Sequence, residues 1–163
     1  MKDKYVIKIF LIFLMLVSLS CSKGDLSLIN IIKLENALGI TSSEVPFEGD
    51  YLFFKDVDYG LKERNQLDIL LPQSDEIMGT VIFFHGGAFL FGTKEDLYDG
   101  EVKEIISTLL NDNIAIINAE YTFINDSDSQ GVITSLKDGT SVINFILDNA
   151  QTLNIPNNKL ILA

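Results

Sequence analysis

The sequence predicts an α/β fold, a mostly parallel sheet with flanking helices that is entered through an antiparallel β-hairpin. Unbroken apolar runs at Val81-Ile82-Phe83-Phe84, Ile114-Ala115-Ile116-Ile117 and Leu160-Ile161-Leu162-Ala163 read as strands covered on both faces, the pattern of a parallel sheet. Amphipathic stretches separate those runs, so strands alternate with helices and right-handed crossovers follow. Ahead of them, two strand-like segments are joined by a short polar turn, which makes them an antiparallel pair.

In chain order, residues 1–20 have the features of an export signal. Lys2, Lys4 and Lys8 precede an apolar run over 9–17, with the small residues Ser18 and Ser20 behind it. That run is too short to cross a bilayer comfortably as a helix, and its flanks fit a cleaved signal. Cys21, the chain's one cysteine, follows directly. Residues 21–50 are expected to form a tether and linker. Leu28, Ile31, Ile32, Leu34 and Leu38 recur at roughly helical period, and Gly39 is placed to end that helix. Such a helix serves either as a tether packed on the domain or as a lid. Residues 40–50 carry Ser, Pro and Gly without a period.

The body of the chain is 51–163. Leu52, Phe54 and Val57 stand among polar partners in a strand over 51–59. A polar turn over 60–65 leads to a second strand over 66–71, stopped by Pro72. After a loop over 73–78 the third strand is 79–84. A helix over 101–111 carries Val102, Ile105, Ile106, Leu109 and Leu110 at helical spacing, one apolar stripe to face a sheet. Asn113 closes it, and 114–121 is the fourth strand. The loop over 122–131 contains Asn125-Asp126-Ser127-Asp128-Ser129, which lacks the Gly and distal Glu of an EF-hand and is expected to be solvated. A second helix over 134–153 carries Ile143, Ile146, Leu147 and Ala150, and after a turn at 155–158 the last strand begins at Lys159.

At 163 residues there is room for one domain with a useful core. Without Lys2, Lys4, Lys8 and Asp3, the chain past residue 20 keeps 9 basic against 22 acidic residues, a net charge of −13. So acidic a body repels phosphate backbones, and nucleic acid is not an expected partner. One Cys rules out an internal disulfide. With one His and no paired carboxylates at ligand spacing, no metal or cofactor is expected.

The chemistry concentrates where the third strand runs into His85-Gly86-Gly87-Ala88-Phe89. Paired glycines let the backbone turn sharply and expose its N–H groups. The C-terminal edge of a parallel sheet is where α/β proteins bind ligands. Converging N–H donors are also what a developing oxyanion needs. The bland alternative is a tight strand-to-loop turn with no ligand.

With these residues laid out, the body resembles the N-terminal half of an α/β-hydrolase of the carboxylesterase/lipase type. Gln66-Leu67-Asp68-Ile69-Leu70-Leu71-Pro72 is similar to that family's second strand, and His85-Gly86-Gly87-Ala88-Phe89 with Phe91-Gly92 to its His-Gly-Gly-Gly oxyanion loop. Tyr121 sits where the family has a Tyr-Arg pair, Asp138 where a helix before the nucleophile strand usually carries Asp, and Lys159-Leu160-Ile161-Leu162-Ala163 resembles the nucleophile strand itself. The resemblance implies that the main-chain N–H groups of Gly86 and Gly87 hold the charge built up when a Ser attacks an ester carbonyl. It implies loop support from His85 and Ala88, and a small-molecule ester pocket lined by Phe89, Phe91 and Tyr121. Ser18-Leu19-Ser20-Cys21 in turn resembles the lipobox of bacterial lipoproteins, which implies acylation of Cys21 and a membrane anchor facing the periplasm or the cell surface.

The sequence departs from the hydrolase pattern in instructive ways. Ala88 replaces the third Gly, tolerable because a main-chain N–H suffices, and Thr122 stands where the family commonly has Arg. The G-x-S-x-G motif is expected directly after Ala163 and occurs nowhere in the chain; the acid and base of the triad are missing with it. The expectation is therefore an incomplete, inactive hydrolase domain at 51–163, the N-terminal part of an exported serine esterase. The alternatives are a non-catalytic surface lipoprotein, a peptidase of the same fold, or a truncated product without function.

Overall fold

The computed structural model describes residues 23–163, so the export signal at 1–20 and Cys21 lie outside the described residues. The chain divides into two compact units, Met1–Leu34 and Glu35–Ala163. Helix α1, Lys23–Leu38, ends where Gly39 turns to φ +70, a conformation cheap only for glycine. Beyond it, Oε1 of Glu35 accepts from both the N–H and the hydroxyl of Ser42, each at 2.8 Å.

The second unit is built on a five-stranded sheet. Its strands are β1 (Tyr51–Asp58), β2 (Gln66–Pro72), β3 (Gly79–Phe84), β4 (Ile114–Ala119) and β5 (Leu160–Leu162). They lie in the order β1-β2-β4-β3-β5. The hairpin β1–β2 is antiparallel as expected, and β2 also runs antiparallel to β4, while β3 pairs in parallel with both β4 and β5. The sheet is therefore mixed. Its parallel half is the part fed by helices α2 (Gly100–Asn111) and α3 (Val132–Asn149), because only parallel neighbours need a crossover.

Leu70, Val81 and Ile116 share one face with Tyr51, Phe53, Ile106 and Leu110. One residue along each strand, Ile69, Ile82 and Ile117 turn to the opposite face and are also buried. The unbroken apolar runs thus mean what they predicted for β3 and β4. For β5 they do not. It pairs with β3 alone, and Ile161 and Leu162 are exposed.

Several sequence expectations are corrected. Strand β4 stops at Ala119; the Glu120 N–H still donates to Gln66 O of β2 at 2.9 Å, and Tyr121 lies beyond the strand. The stripe of α2 is narrower than its spacing implies: Ile106 and Leu110 are buried, but Val102 and Ile105 face out. Helix α3 starts earlier and ends sooner than the predicted 134–153, and its buried face is Thr134, Ser135, Asp138, Val142 and Ile146, with Leu147 exposed. Between β3 and α2 lies an unforeseen 3₁₀ turn, Lys94–Tyr98.

Candidate functional site

The segment after β3 is a compact turn in strained backbone. Gly87 has φ +114, and a β-carbon there would meet the Phe91 carbonyl oxygen at 1.7 Å. Gly92 has φ +107, and its β-carbon would meet Nδ1 of His85 at 2.6 Å. Ala88 (φ 51) and Phe89 (φ 64) are left-handed as well. The Leu90 N–H donates to Gly87 O at 2.9 Å, and the Ile124 N–H to Phe89 O at 2.9 Å, which ties the loop to the chain beyond β4. Among the described residues, the N–H groups of Gly86, Gly87 and Ala88 donate to no acceptor. Unpaired amides on an accessible turn are donors available to an oxygen carrying negative charge.

The structure brings His85, Gly86, Gly87, Ala88, Phe89 and Tyr121 together. His85 is buried, with Nδ1 2.6 Å from Gly86 O and Nε2 3.3 Å from a carboxylate oxygen of Glu120. Its ring stacks on Tyr121 at 4.5 Å, and the Tyr121 hydroxyl donates to His85 O at 2.8 Å. Phe89 meets the Tyr121 ring edge-on at 5.7 Å. Phe91 is exposed at the loop tip.

Three ionisable side chains that the sequence reading passed over complete the site. Glu120, just past β4, accepts the Lys94 N–H at 2.7 Å, faces His85 and pairs with Arg64. Burial alone would raise its carboxyl; the bonds from His85 and Lys94 and the charge of Arg64 outweigh that and hold it below the usual range. Arg64, from the β1–β2 turn, also donates through Nε to Tyr121 O at 2.9 Å and lies 3.6 Å over the Phe123 ring. The guanidinium beside Glu120 and Tyr121 therefore comes from the β1–β2 turn.

Lys94 is buried, with Nζ 2.7 Å from Asp56, 3.0 Å from Asp68 and 2.9 Å from Glu95. Burial lowers the ammonium, but these carboxylates reverse the direction and keep it charged. Burial in turn pushes Asp68 up despite its bonds from Tyr98, Asp56 and Lys94. Asp138 accepts the Thr122 N–H at 3.0 Å and the Lys62 ammonium at 2.5 Å, joining α3 to the hairpin turn and the chain after β4. A charged residue inside an apolar strand, as in Leu67-Asp68-Ile69, was the one sequence signal for this network, since it demands a partner.

Beside Arg64 lies a polar cleft of about 300 Å³ lined by Glu63, Thr122, Asp126, Ser127 and Asp128. Among the described residues no group of His, Cys, Asp or Glu is arranged to hold a metal ion.

Residues 67–163 match the model of the BD-FAE family, an esterase domain of α/β-hydrolase type. The chain belongs to the BD-FAE family. Its matched region starts at the head of β2 and takes in the glycine loop, Glu120 and α3. No curated protein sequence matches the chain. Among solved structures, the BD-FAE chain is similar to a truncated carbohydrate esterase from gut microbiota, with TM-score 0.58, 21% identity and coverage of 73% of this chain and 41% of that one. Esterase B from Lactobacillus rhamnosis gives TM-score 0.58 at 16% identity, covering 91% of this chain and 44% of that one. A bifunctional GH43-CE protein from Bacteroides eggerthii gives TM-score 0.56 at 20% identity, covering 68% of this chain and 14% of that one. At these identities the likeness establishes the α/β-hydrolase-type fold, and the chain spans less than half the length of each.

Proposed function

We propose that the chain supplies the oxyanion side of a serine esterase, with nucleophile, acid and base carried by sequence beyond Ala163. The observation that carries this reading is the set of unpaired N–H groups at Gly86, Gly87 and Ala88, on a loop whose carbonyls at His85 and Gly86 are already held. A Ser hydroxyl adds to the ester carbonyl, negative charge moves onto that oxygen, and the Gly86 and Gly87 amides receive it in place of water. Losing one such donor lowers the rate by a factor on the order of 10²–10³. Phe89, Phe91 and Tyr121 border the acyl or alcohol side. Carboxylic esters are the substrate class, and similarity to a carbohydrate esterase favours sugar-linked acetyl or feruloyl esters. The lipobox-like Ser18-Leu19-Ser20-Cys21 adds export and a lipid anchor to the reading.

The chain 1–163 by itself is expected to be inactive, having no G-x-S-x-G motif. A longer product that carries this chain is expected to hydrolyse p-nitrophenyl acetate, to react with a fluorophosphonate probe, and to lose both when the elbow Ser is replaced by Ala. Absence of turnover and of labelling in that product would sink the esterase reading. Turnover of amides in preference to esters would make it a peptidase.

A further inference from the structure

A trans peptide unit is planar, with its C=O and the following N–H pointing in opposite directions. Holding a carbonyl therefore aims the amide of the next residue. At this site both relevant carbonyls are held. The Tyr121 hydroxyl donates to His85 O at 2.8 Å, in the peptide plane that carries the Gly86 N–H, and reaches Gly86 O only at 3.4 Å. Nδ1 of His85 lies 2.6 Å from Gly86 O, in the plane that carries the Gly87 N–H. The imidazole is set in turn by Glu120, 3.3 Å from its Nε2.

Glu120 is well placed to transmit rigidity. Its other oxygen accepts the Lys94 N–H at 2.7 Å, so one carboxylate grips both ends of the loop. Lys94 is itself fixed to the sheet, since its carbonyl accepts from Asn118 at 2.6 Å and its ammonium from a buried position meets Asp68 at 3.0 Å. Between the two gripped ends stand Gly87, Ala88, Phe89 and Gly92 with positive φ, conformations that persist only where the surroundings over-determine them.

We propose that the consecutive residues Glu120 and Tyr121 are positioning residues, each aiming a different amide: Tyr121 sets the Gly86 N–H directly, and Glu120 sets the Gly87 N–H through the His85 ring. The catalytic consequence rests on the oxyanion reading above; the geometric claim does not. It also gives Tyr121 a task other than lining a pocket.

The test is to measure residual dipolar couplings and ¹⁵N relaxation of the Gly86 and Gly87 amides in the full chain, wild type against Tyr121→Phe, Glu120→Ala and Glu120→Gln. Tyr121→Phe keeps the stacked ring and removes only the hydroxyl, so it should reorient and loosen the Gly86 amide more than the Gly87 amide. Glu120→Ala should do the reverse, and Glu120→Gln, which keeps one oxygen acceptor but sets an NH2 donor against either the Lys94 N–H or the His85 side, should recover only part of the wild-type couplings. Unchanged couplings in folded Tyr121→Phe and Glu120→Ala would overturn the proposal. In an ester-cleaving longer product, Tyr121→Phe and Glu120→Ala should lower kcat by about 10-fold or more with KM within about 2-fold, since the aimed donors act on the transition state. Altered amides in a product that cleaves no ester would uphold the positioning roles and sink the esterase reading alone.

Discussion

At Gly87 and Gly92 the obstacles to a side chain are the Phe91 and Gly86 carbonyls and the buried His85 ring, none of which is a flexible side-chain end free to swing away. Both sites also have positive φ, a conformation that costs a β-carbon about 1–2 kcal/mol before any clash. Gly86 differs: a β-carbon there meets nothing within 4 Å. Gly87→Ala and Gly92→Ala should therefore each lower the unfolding free energy by about 2 kcal/mol or more, and Gly86→Ala by no more than about 0.5 kcal/mol. Urea unfolding followed by circular dichroism decides it; equal losses at the three positions would contradict the geometry. Gly87 and Gly92 were readable in the sequence because their positive φ and close carbonyl neighbours leave no room for a β-carbon. Glu120, Lys94 and Arg64 were not readable, because their meaning comes from partners far along the chain: Glu120 meets His85 across 35 positions, Lys94 across 26 and Arg64 across 56. No local pattern encodes such pairs.

Helix α3 shows why element faces were harder to read than element existence. Apolar spacing finds a helix that packs on hydrophobic surface, and it located α2 and α3 well enough to give the alternating fold. The N-terminal half of α3, however, buries Thr134, Ser135 and Asp138 against the polar chain after β4, with the Ser135 hydroxyl donating to Thr122 O at 2.7 Å. Ile133 and Leu136, which hydropathy would place inside, are outside. Asp138 is the element's main tie. Burial would raise its carboxyl, but the bonds from Lys62 and Thr122 hold it below its usual value of 3.8. A depressed folded value means that its contribution is present above 3.8 and is lost as pH falls through the folded value. Asp138→Asn should cost about 1–3 kcal/mol at pH 7. The gap between wild type and variant should close below pH 3.8, as wild type loses what the variant already lacks. Urea midpoints from pH 7 to pH 3 test this, and a gap that widens in acid would exclude the tie.

For the molecule as a whole, the mixed sheet and the BD-FAE match make the esterase-type fold firm, while the proposed attachment to a membrane rests on the first 21 residues and on charge. Past residue 20 the chain carries 22 acidic against 9 basic residues, so anionic lipid headgroups repel the body and give it no electrostatic help. A single acyl chain holds a protein only weakly, with a binding constant of about 10⁴ M⁻¹, so stable attachment needs several chains when charge opposes it. On the lipoprotein proposal, anchoring should therefore depend wholly on acylated Cys21. The wild-type protein, expressed in a bacterium, should incorporate a palmitate analogue, enter the detergent phase on Triton X-114 partition, and resist release by high salt. Cys21→Ser should lose the label and move entirely to the aqueous phase. Retention of the Cys21→Ser variant in the detergent phase would point to an uncleaved apolar run over 9–17 as the anchor instead, and an unlabelled, aqueous wild type would end the lipoprotein reading.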